Sequence, residues 1–383
     1  MAQDKDHKTP NVPPLRFPGF TDDWEQYTID EIAKIEKGSG ISKDQLSEDG
    51  EECILYGELY TKYKSEIINE IFSKTNIDSS KLTRSKENDV IIPCSGESAE
   101  DIATARCINK DGILLGGDLN IIRFKGQDGA FMSYQLNGKR KYDIARVAQG
   151  VSVVHLYPDH LKLVKINVPQ IEEQRKIVRL ISLIDERIAT QNKIIDKLQS
   201  LIKGLNDVLL KQVCKNAEKV RLGEICNITT GKLDANAMED NGIYPFFTCA
   251  ESPYLINSYA FDTEALLISG NGANVGYINY YKGKFNAYQR TYVLDDFSEN
   301  IQYIRTFLKS YLPKRIALEK STSNTPYIVM STLSDMPIYL PNKEYQDKIC
   351  QIINGLEKKL SIEKSIFSTT MSTKQYLLHK LFI

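Results

Sequence analysis

The segment LKLVKINVPQIEEQRKI, Leu161 to Ile177, returns in altered form as LSDMPIYLPNKEYQDKI, Leu333 to Ile349. At a constant shift of 172 residues (333 − 161) the two segments share seven residues. In the first copy these are Leu161, Ile166, Pro169, Glu172, Gln174, Lys176 and Ile177. A repeat of this length bears on the whole fold, because each copy indicates one structural unit.

A second match opens each half of the chain. Ile29, Glu31, Ile32, Ile35 and Gly38 correspond to Leu222, Glu224, Ile225, Ile228 and Gly231 at a shift of 193 residues (222 − 29). Two matches in the same order indicate a tandem duplication. The difference, 193 − 172 = 21, places about 21 extra residues between the matched ends of the first copy.

A heptad pattern of apolar residues follows each copy of the proline-containing segment and predicts a long helix. The first stripe consists of Ile177, Ile181, Ile184, Ile188, Ile195, Leu198, Ile202, Leu205 and Leu209, with Gln191 as a polar member. The second consists of Ile349, Ile353, Leu356, Leu360, Phe367, Leu377 and Leu381, and is weaker at Glu363, Thr370 and Lys374. About forty residues at about 1.5 Å each give a helix of about 60 Å.

We expect the two helices to pack against each other in antiparallel orientation, because a lone amphipathic helix must bury its apolar stripe. The alternative is that each helix packs on its own globular domain. The resulting fold class is α+β, with two pseudo-symmetric mixed α/β domains separated by two long antiparallel coiled-coil helices. The predicted boundaries are 1–23 (N-terminal tail), 24–168 (first domain), 169–219 (central helical arm), 220–341 (second domain) and 342–383 (C-terminal arm).

The two domains are predicted to mix strands, turns and short helices. Runs rich in Val, Ile and aromatic residues predict strands at Asp89–Ile92, Leu119–Phe124, Ser152–Leu156, Ala265–Ile268 and Thr291–Leu294. The glycine-rich stretch Gly270–Gly276 resembles a phosphate-binding loop, but Val275 stands where the dinucleotide motif requires a third glycine. A tight turn that presents polar side chains on a β scaffold is the better interpretation.

Composition excludes several classes of protein. The chain has 383 residues, 42% of them hydrophobic, and a net charge of −1, which is typical of folded domains rather than disorder. No apolar run predicts a membrane span, and MAQDKDHKTP has no signal-peptide core, so we expect a cytoplasmic protein. Seven scattered cysteines and four histidines lack metal-site spacing, so neither a disulfide framework nor a metal site is predicted. Methyltransferase, nucleotide-binding and hydrolase motifs are missing, and no catalytic residue is predicted.

Charge alone does not indicate a nucleic-acid binder, because acidic residues outnumber basic residues in both predicted domains. Local clusters of Lys and Arg are interleaved with tyrosines, as at Lys62–Lys64 and Tyr277–Lys284. Such clusters are usually solvated surface, but they permit contact with DNA.

The duplicated pattern resembles the specificity subunit of type I restriction–modification enzymes. Besides the P-x-x-E-x-Q-x-K-I helices, VPPLRFPGFTDDWE (Val12 to Glu25) and GNGANVGYINYYKGKFNAYQRTYVL (Gly270 to Leu294) are similar to that family. The second copy departs from the pattern, with Tyr345 where the first has Glu173. The resemblance implies that each domain is a target recognition domain for one half of a bipartite, asymmetric DNA site, and that the helices set the spacer and dock partner subunits.

The partners implied are double-stranded DNA, two modification subunits that use S-adenosylmethionine to methylate adenine N6, and restriction subunits that use ATP and Mg²⁺. The chain itself would bind no cofactor. Side chains that hydrogen-bond or stack are needed at base edges. The candidate DNA contacts are Lys62, Tyr63, Lys64, Arg84, Lys86, Asn271, Asn274, Tyr277, Tyr281, Lys282 and Arg290. Two alternatives remain: a protein-interaction scaffold built on the coiled coil, and an enzyme with an unrecognised site.

Overall fold

The computed structural model describes residues 11–150, 153–319 and 327–383. It divides into two compact units. The first unit contains the chain up to Asn192 together with Ile366–Ile383, and the second contains Lys193–Ser365. Within the described ranges no helix combines the length and the apolar character that a membrane crossing requires.

The strands of the first unit are β1 (Glu25–Thr28), β2 (Ala33–Lys37), β3 (Leu46–Ser47), β4 (Glu51–Ile54), β5 (Ile67–Ile68), β6 (Ser73–Thr75), β7 (Val90–Pro93), β8 (Ser95–Gly96), β9 (Arg106–Ile108), β10 (Leu114–Leu115), β11 (Leu119–Phe124), β12 (Val154–His155) and β13 (Lys165–Val168). Its helices are α1 (Ile29–Ile32), α2 (Glu58–Thr61), α3 (Ala99–Ile102), α4 (Gly129–Asn137), α5 (Lys141–Val147), α6 (Pro158–Lys162) and the start of α7 (Ile171–Asn216), with a 3₁₀ turn at Lys43–Gln45.

The strands of the second unit are β14 (Glu218–Arg221), β15 (Asn227–Thr230), β16 (Tyr244–Phe247), β17 (Tyr254–Ile256), β18 (Phe261–Ser269), β19 (Ile278–Ala287), β20 (Thr291–Asp295) and β21 (Pro337–Leu340). Its helices are α8 (Leu222–Ile225), α9 (Ile301–Glu319), α10 (Met330–Ser334) and the start of α11 (Lys343–Lys380), with a 3₁₀ turn at Ala235–Ala237. The predicted strands agree with β7, β11, β12, β18 and β20, except that Ser152 lies outside the described residues.

The matched ends of the two sequence copies form the same structure in each unit. β1 pairs antiparallel with β13, with Glu25 opposite Val168, and β14 pairs antiparallel with β21, with Glu218 opposite Leu340. These positions are related by the sequence shifts of 193 and 172 residues. The duplication predicted from the sequence is therefore confirmed in the backbone pairing.

The shared glutamine of the repeat clamps the start of each long helix. Gln174 Nε2 donates to Pro169 O at 2.8 Å, and Gln346 Nε2 donates to Pro341 O at 2.9 Å. The other amide atom, Oε1, accepts from the backbone N–H just before α4 in the first unit and α9 in the second. Both glutamines are buried, so these bonds satisfy polar atoms that water cannot reach.

The central sheets of the two units share the topology of their first five strands, and the second sheet adds a sixth strand, β17. The first has the order β2-β11-β7-β9-β5, and the second has the order β15-β20-β18-β19-β16-β17. In both, one strand near the edge runs parallel to its neighbour (β5 with β9, β16 with β19), whereas the preceding pairs are antiparallel. The first unit adds a sheet of order β10-β4-β6-β3, which accommodates extra residues of the first copy.

Both long helices contribute to the core of the first unit. Ile177 and Ile181 from the start of α7 lie in one apolar cluster with Leu377 and Leu381 from the end of the chain. The same cluster contains domain residues such as Trp24. The two apolar stripes therefore meet, as predicted, but they also pack on the domain, so the two packing alternatives are combined rather than exclusive.

The second unit repeats this arrangement with the opposite ends of the helices. Leu210 and Val213 of α7 share an apolar cluster with Ile349 and Ile353 of α11 and with domain residues such as Phe307. The start of one helix thus lies with the end of the other in each unit, which is antiparallel order. Of the remaining predicted stripe positions, Ile195 and Leu198 are buried, and Ile184, Ile188, Ile202, Leu205, Leu356 and Leu360 are half-buried.

Residues 11–23, predicted to form part of a tail, pack against the first unit. Arg16 forms a two-bonded ion pair with buried Glu173, with Nε–Oε1 at 2.7 Å and Nη2–Oε2 at 2.8 Å. The backbone N–H of Leu15 donates to Lys380 O at 2.9 Å. Glu173, which has Tyr345 at its position in the second copy, therefore anchors this segment to the first turn of the helix.

A buried charge cluster joins the two helices to the domain in the first unit. Lys374 Nζ lies 2.6 Å from Glu66 Oε2 and 2.6 Å from Asp185 Oδ1, and all three side chains are only 11% exposed. Tyr134 donates its hydroxyl to Asp185 Oδ2 at 2.7 Å. Lys374, where the apolar stripe is weak, is therefore buried as the cation of a charge cluster rather than as part of an apolar contact.

Gly204 offers a test of the helix itself. It lies in α7, and a Cβ at this position would meet nothing within 4 Å. Since glycine in a helix interior is less favourable than alanine, Gly204→Ala should raise the free energy of unfolding by roughly 0.5–1 kcal/mol, measured by chemical denaturation. The matched control is Gly231→Ala, which should destabilise because its Cβ would collide with Ala287 O. A Gly204→Ala variant less stable than the wild type would contradict a continuous helix here.

Candidate nucleic-acid interface

Two of the DNA-contact candidates in the first unit have structural roles. Lys62 Nζ lies 2.6 Å from Glu58 Oε1 and 2.8 Å from Ser73 Oγ. The Tyr63 side chain is 5% exposed and packs in an apolar cluster with Leu59 and Ile68. Burial raises the pKa of Tyr63 well above its ordinary value. Tyr63 is therefore a core residue and does not present its ring at the surface.

The other three candidates of this unit are Lys64, Arg84 and Lys86, and they differ in whether an ion pair holds the side chain. Arg84 Nη1 lies 2.7 Å from Glu51 Oε2, and this bond raises the pKa of Arg84. Lys64 and Lys86 are exposed. Only these two lysines are thus available without breaking an ion pair.

The candidates in the second unit centre on the connection between β18 and β19. This connection is a tight turn, as predicted, with Gly272 and Gly276 at positive φ. Asn274 Nδ2 donates to Cys249 O at 3.1 Å, and the Cys249 thiol donates to Asn271 Oδ1 at 3.1 Å. The two asparagines are half-buried, and these hydrogen bonds to Cys249 hold their side chains in place. Tyr277 is 40% exposed.

The remaining second-unit candidates lie on or after β19. Tyr281 packs against Phe247 and Phe285, with ring centroids 5.5 Å and 5.8 Å apart, so only part of its ring faces solvent. Lys282 Nζ lies 3.1 Å from Glu264 Oε2 on the exposed face of the sheet. Arg290 is exposed, and none of the described residues forms an ion pair with it.

Three connections meet at one end of the second central sheet, and we call this meeting point the second junction. Gly270 N donates to Arg290 O at 2.8 Å, and Ile328 N donates to Gly270 O at 2.9 Å. Asn271 and Tyr327 form an isolated antiparallel bridge. The junction therefore brings together Asn271 and Arg290, which the sequence suggested, and Tyr327, which it did not.

The first unit contains the same backbone arrangement, the first junction. Cys94 N donates to Asp118 O at 2.6 Å, and Leu156 N donates to Cys94 O at 2.8 Å. Ser95 pairs with His155 between β8 and β12. Each of these bonds has its counterpart in the second junction, so the two scaffolds are equivalent at this point.

Sequence reasoning missed Asp118, His155 and Tyr327. A signal was present, because the shift of 172 residues that relates the helices also relates Asp118 to Arg290 and His155 to Tyr327. Asp118 and His155 are exposed, as are Arg290 and Tyr327. Positions that accept matched backbone hydrogen bonds thus carry an acidic residue, Asp118, in one unit and a basic residue, Arg290, in the other.

The described residues offer little that is typical of a catalytic centre. They contain no group of three or more His, Cys, Asp or Glu side chains placed to hold a metal ion. Burial raises the pKa of the Cys53 and Cys94 thiols to about 11, so both are protonated at neutral pH and are poor nucleophiles.

Comparison with known proteins gives a consistent assignment. The family model described as type I restriction modification DNA specificity domain matches residues 21–200 and 215–368. The EcoDI specificity subunit of Escherichia coli is 42% identical over 146 residues, 38% of this chain and 32% of that protein. The MjaVIII specificity subunit of Methanocaldococcus jannaschii is 27% identical over 234 residues, 57% of this chain and 52% of that protein. The chain therefore spans about a third to a half of these curated relatives.

A solved structure supports the fold. The type I restriction–modification S subunit from M. genitalium superposes with a TM-score of 0.72 at 19% sequence identity, covering 97% of this chain and 99% of that one. At this identity the likeness establishes the fold only. Because the family model matches most of the chain, once in each sequence copy, the chain belongs to the type I restriction modification DNA specificity domain family.

Proposed function

We propose that this chain is the sequence-reading, non-catalytic specificity subunit of a type I restriction–modification complex. Its recognition domains, 24–168 and 220–341, each read one half of a bipartite, asymmetric DNA site. The observation that supports this most directly is the pair of equivalent junctions with unlike exposed side chains. Two copies of one scaffold with different surface chemistry are what two different half-sites require.

The proposed partners are two modification subunits and the restriction subunits, together with double-stranded DNA. S-adenosylmethionine would be bound by the modification subunits, and ATP and Mg²⁺ by the restriction subunits, with none held by this chain. The net charge of −1 supports a division of labour, because a chain without any excess of positive charge gains little from phosphate contacts alone. Phosphate contacts position a protein on DNA, whereas base contacts select the sequence.

Binding measurements distinguish this proposal from a protein-only scaffold. The full chain alone should bind DNA weakly and lose that binding as salt is raised, whereas the complex with modification subunits should bind one bipartite site tightly. Gel shifts on a random-sequence duplex library, with and without those subunits, measure both. If the complex selects no sequence from the library, the scaffold alternative is preferred.

The helices would set the distance between the half-sites. The boundary between the units falls after Asn192 in α7 and after Ser365 in α11. Inserting four helical residues at both points keeps the helix contacts inside each unit and adds about 6 Å. The recognised spacer should lengthen by about two base pairs, at about 3.4 Å each, while both half-sites stay the same. Mapping of methylated adenines in cells that express the complex measures this.

The matched control for the insertion is a substitution of four exposed α7 residues near Asn192, without insertion. That variant should keep the original spacer. A changed half-site sequence in the paired insertion variant would contradict the proposed separation between reading and spacing.

A further inference from the structure

The two junctions differ at three positions that are matched by backbone hydrogen bonds and strand pairings. Ser95 corresponds to Asn271, Asp118 to Arg290, and His155 to Tyr327, on the matched hydrogen bonds described above. Elsewhere the matched ends of the copies keep the same residue types at shared structural positions, such as the glutamine of the repeat. The backbone hydrogen bonds of the junctions are therefore shared, whereas the side chains differ, and Asp118 differs from Arg290 also in its left-handed backbone conformation (φ +59°).

We infer that the side chains at the junctions select the bases of the two half-sites, with Asp118 and His155 serving the first and Arg290 and Tyr327 the second. This inference rests on the proposed function and specifies which residues carry it. In the first unit it assigns base contact to Asp118 and His155 instead of Lys62, Tyr63 and Arg84. Those three residues have structural roles or ion pairs of their own.

Arg290 has the properties of a guanine-reading residue. Its guanidinium is exposed and has no acidic partner among the described residues, in contrast to Arg84 with Glu51. Arginine donates two parallel hydrogen bonds to guanine O6 and N7 in the major groove. Since an unpaired arginine can make these bonds without first breaking an ion pair, Arg290 gives the second half-site a preference for guanine.

Asp118 supplies the opposite chemistry at the equivalent position. A carboxylate repels phosphate, so an exposed acid at this position cannot serve backbone contact. It can accept a hydrogen bond from the amino group of cytosine, and it disfavours guanine, whose major-groove edge only accepts. Ser95 Oγ lies 3.3 Å from Asp118 Oδ2 and orients the carboxylate. The first half-site therefore contains a cytosine, or an adenine, whose amino group also lies in the major groove, at the position that Asp118 reaches.

The aromatic residues complete each junction. Tyr327 is 57% exposed, and His155 is exposed with its ring stacked on Tyr157 at 6.1 Å between centroids. Methylation of an adenine requires the base to leave the helical stack, and aromatic side chains stack on bases that have been displaced. These rings are placed to stabilise a distorted duplex next to the base-reading side chain.

The variants that test this inference are chosen to keep the fold. Asp118 has φ +59°, a left-handed conformation that asparagine also tolerates, so Asp118→Asn changes the charge without straining the backbone. Arg290→Gln removes the bidentate donor and leaves the backbone carbonyl bond to Gly270 intact. Matched controls are Asp49→Asn and Arg221→Gln, exposed residues of the same charge outside the junctions.

The experiment uses the full chain co-expressed with its modification subunits, followed by genome-wide mapping of methylated adenines. Asp118→Asn should relax one base of the first half-site, or lower methylation of the whole bipartite site roughly ten- to a hundredfold, and leave the base sequence recognised at the second half-site unchanged. Arg290→Gln should do the same to the second half-site alone. Both control variants should keep the wild-type motif, and thermal unfolding should show all four variants folded.

The outcomes separate this inference from the proposed function. If the wild-type complex methylates no bipartite motif, the proposed function fails. If the wild-type motif is bipartite but the Asp118 and Arg290 variants methylate it unchanged, the proposed function stands and the assignment of the junctions is overturned. A changed base preference in both half-sites of either variant would also overturn it, because each junction is assigned to one half-site only.

Discussion

Replacement of Lys374 by methionine is expected to destabilise the first unit by about 3–5 kcal/mol, because it leaves the buried carboxylates of Glu66 and Asp185 without their cation. Methionine keeps most of the side-chain volume, so the loss reports charge and not a cavity. Chemical denaturation of the full chain measures the change in the free energy of unfolding.

The size of this effect should depend on pH. Burial raises the pKa of Asp185, and Lys374 opposes that shift. A carboxyl group whose pKa is higher in the folded state favours folding at low pH, and this contribution is lost as the pH rises through the folded-state pKa. Without Lys374 the pKa of Asp185 rises further. The difference between Lys374→Met and wild type should therefore shrink as the pH is lowered from about 7.5 to about 5.

Neutralising the whole cluster provides the control. In the variant Lys374→Met, Glu66→Gln, Asp185→Asn no buried charge lacks a partner, so much of the lost stability should return. Equal destabilisation of the single and triple variants would show that the loss comes from packing. A single variant with wild-type stability would show that the cluster is hydrated rather than buried.

Truncation of Phe382 to alanine is the second large expected effect, a loss of about 3–5 kcal/mol. The ring is fully buried near the end of the chain, and its centroid lies 6.4 Å from that of Trp24 and 5.1 Å from that of Phe131. Alanine would leave a cavity among three aromatic rings in the core of the first unit. Denaturation followed by the fluorescence of Trp24, the only tryptophan of the chain, reports this site directly.

The control for Phe382 lies six residues earlier in the same region. Tyr376 is 58% exposed, so Tyr376→Ala should change the free energy of unfolding by no more than about 0.5 kcal/mol. If Phe382→Ala were as mild as Tyr376→Ala, the end of the chain would not be part of this core.

Much of the fold could be predicted because the duplicated segments contain local sequence patterns that determine local structure. The repeat matches Gln174 with Gln346, which make the same hydrogen bond in the structure, and the heptad stripe predicts the buried helical faces. The buried Lys374 could not be predicted in the same way. Its partner Glu66 is 308 residues away in sequence, and a pattern along one helix contains no information about an acid on another element.

The candidate site was predictable only in part, because some of its residues are distant in sequence and meet only in the folded chain. Arg290 and Asn271 stood out because the glycine-rich turn and the tyrosines around them form a local pattern. Asp118 and His155 lie in different connections and come together only through the backbone bonds of the first junction. Conversely, Tyr63 sits in a basic segment that suggests a surface role, but its ring fills a core.

The participation of Phe382 in the core of the first unit has a consequence for biosynthesis. The N-terminal part of this unit leaves the ribosome well before the last residues that complete its core. At about 5–20 residues per second, synthesis of the intervening stretch, from Asn192 to Ile366, takes roughly 10–35 s. During that interval the nascent chain exposes the apolar surface that Phe382 later covers, and transiently exposed surface of this kind is prone to aggregation.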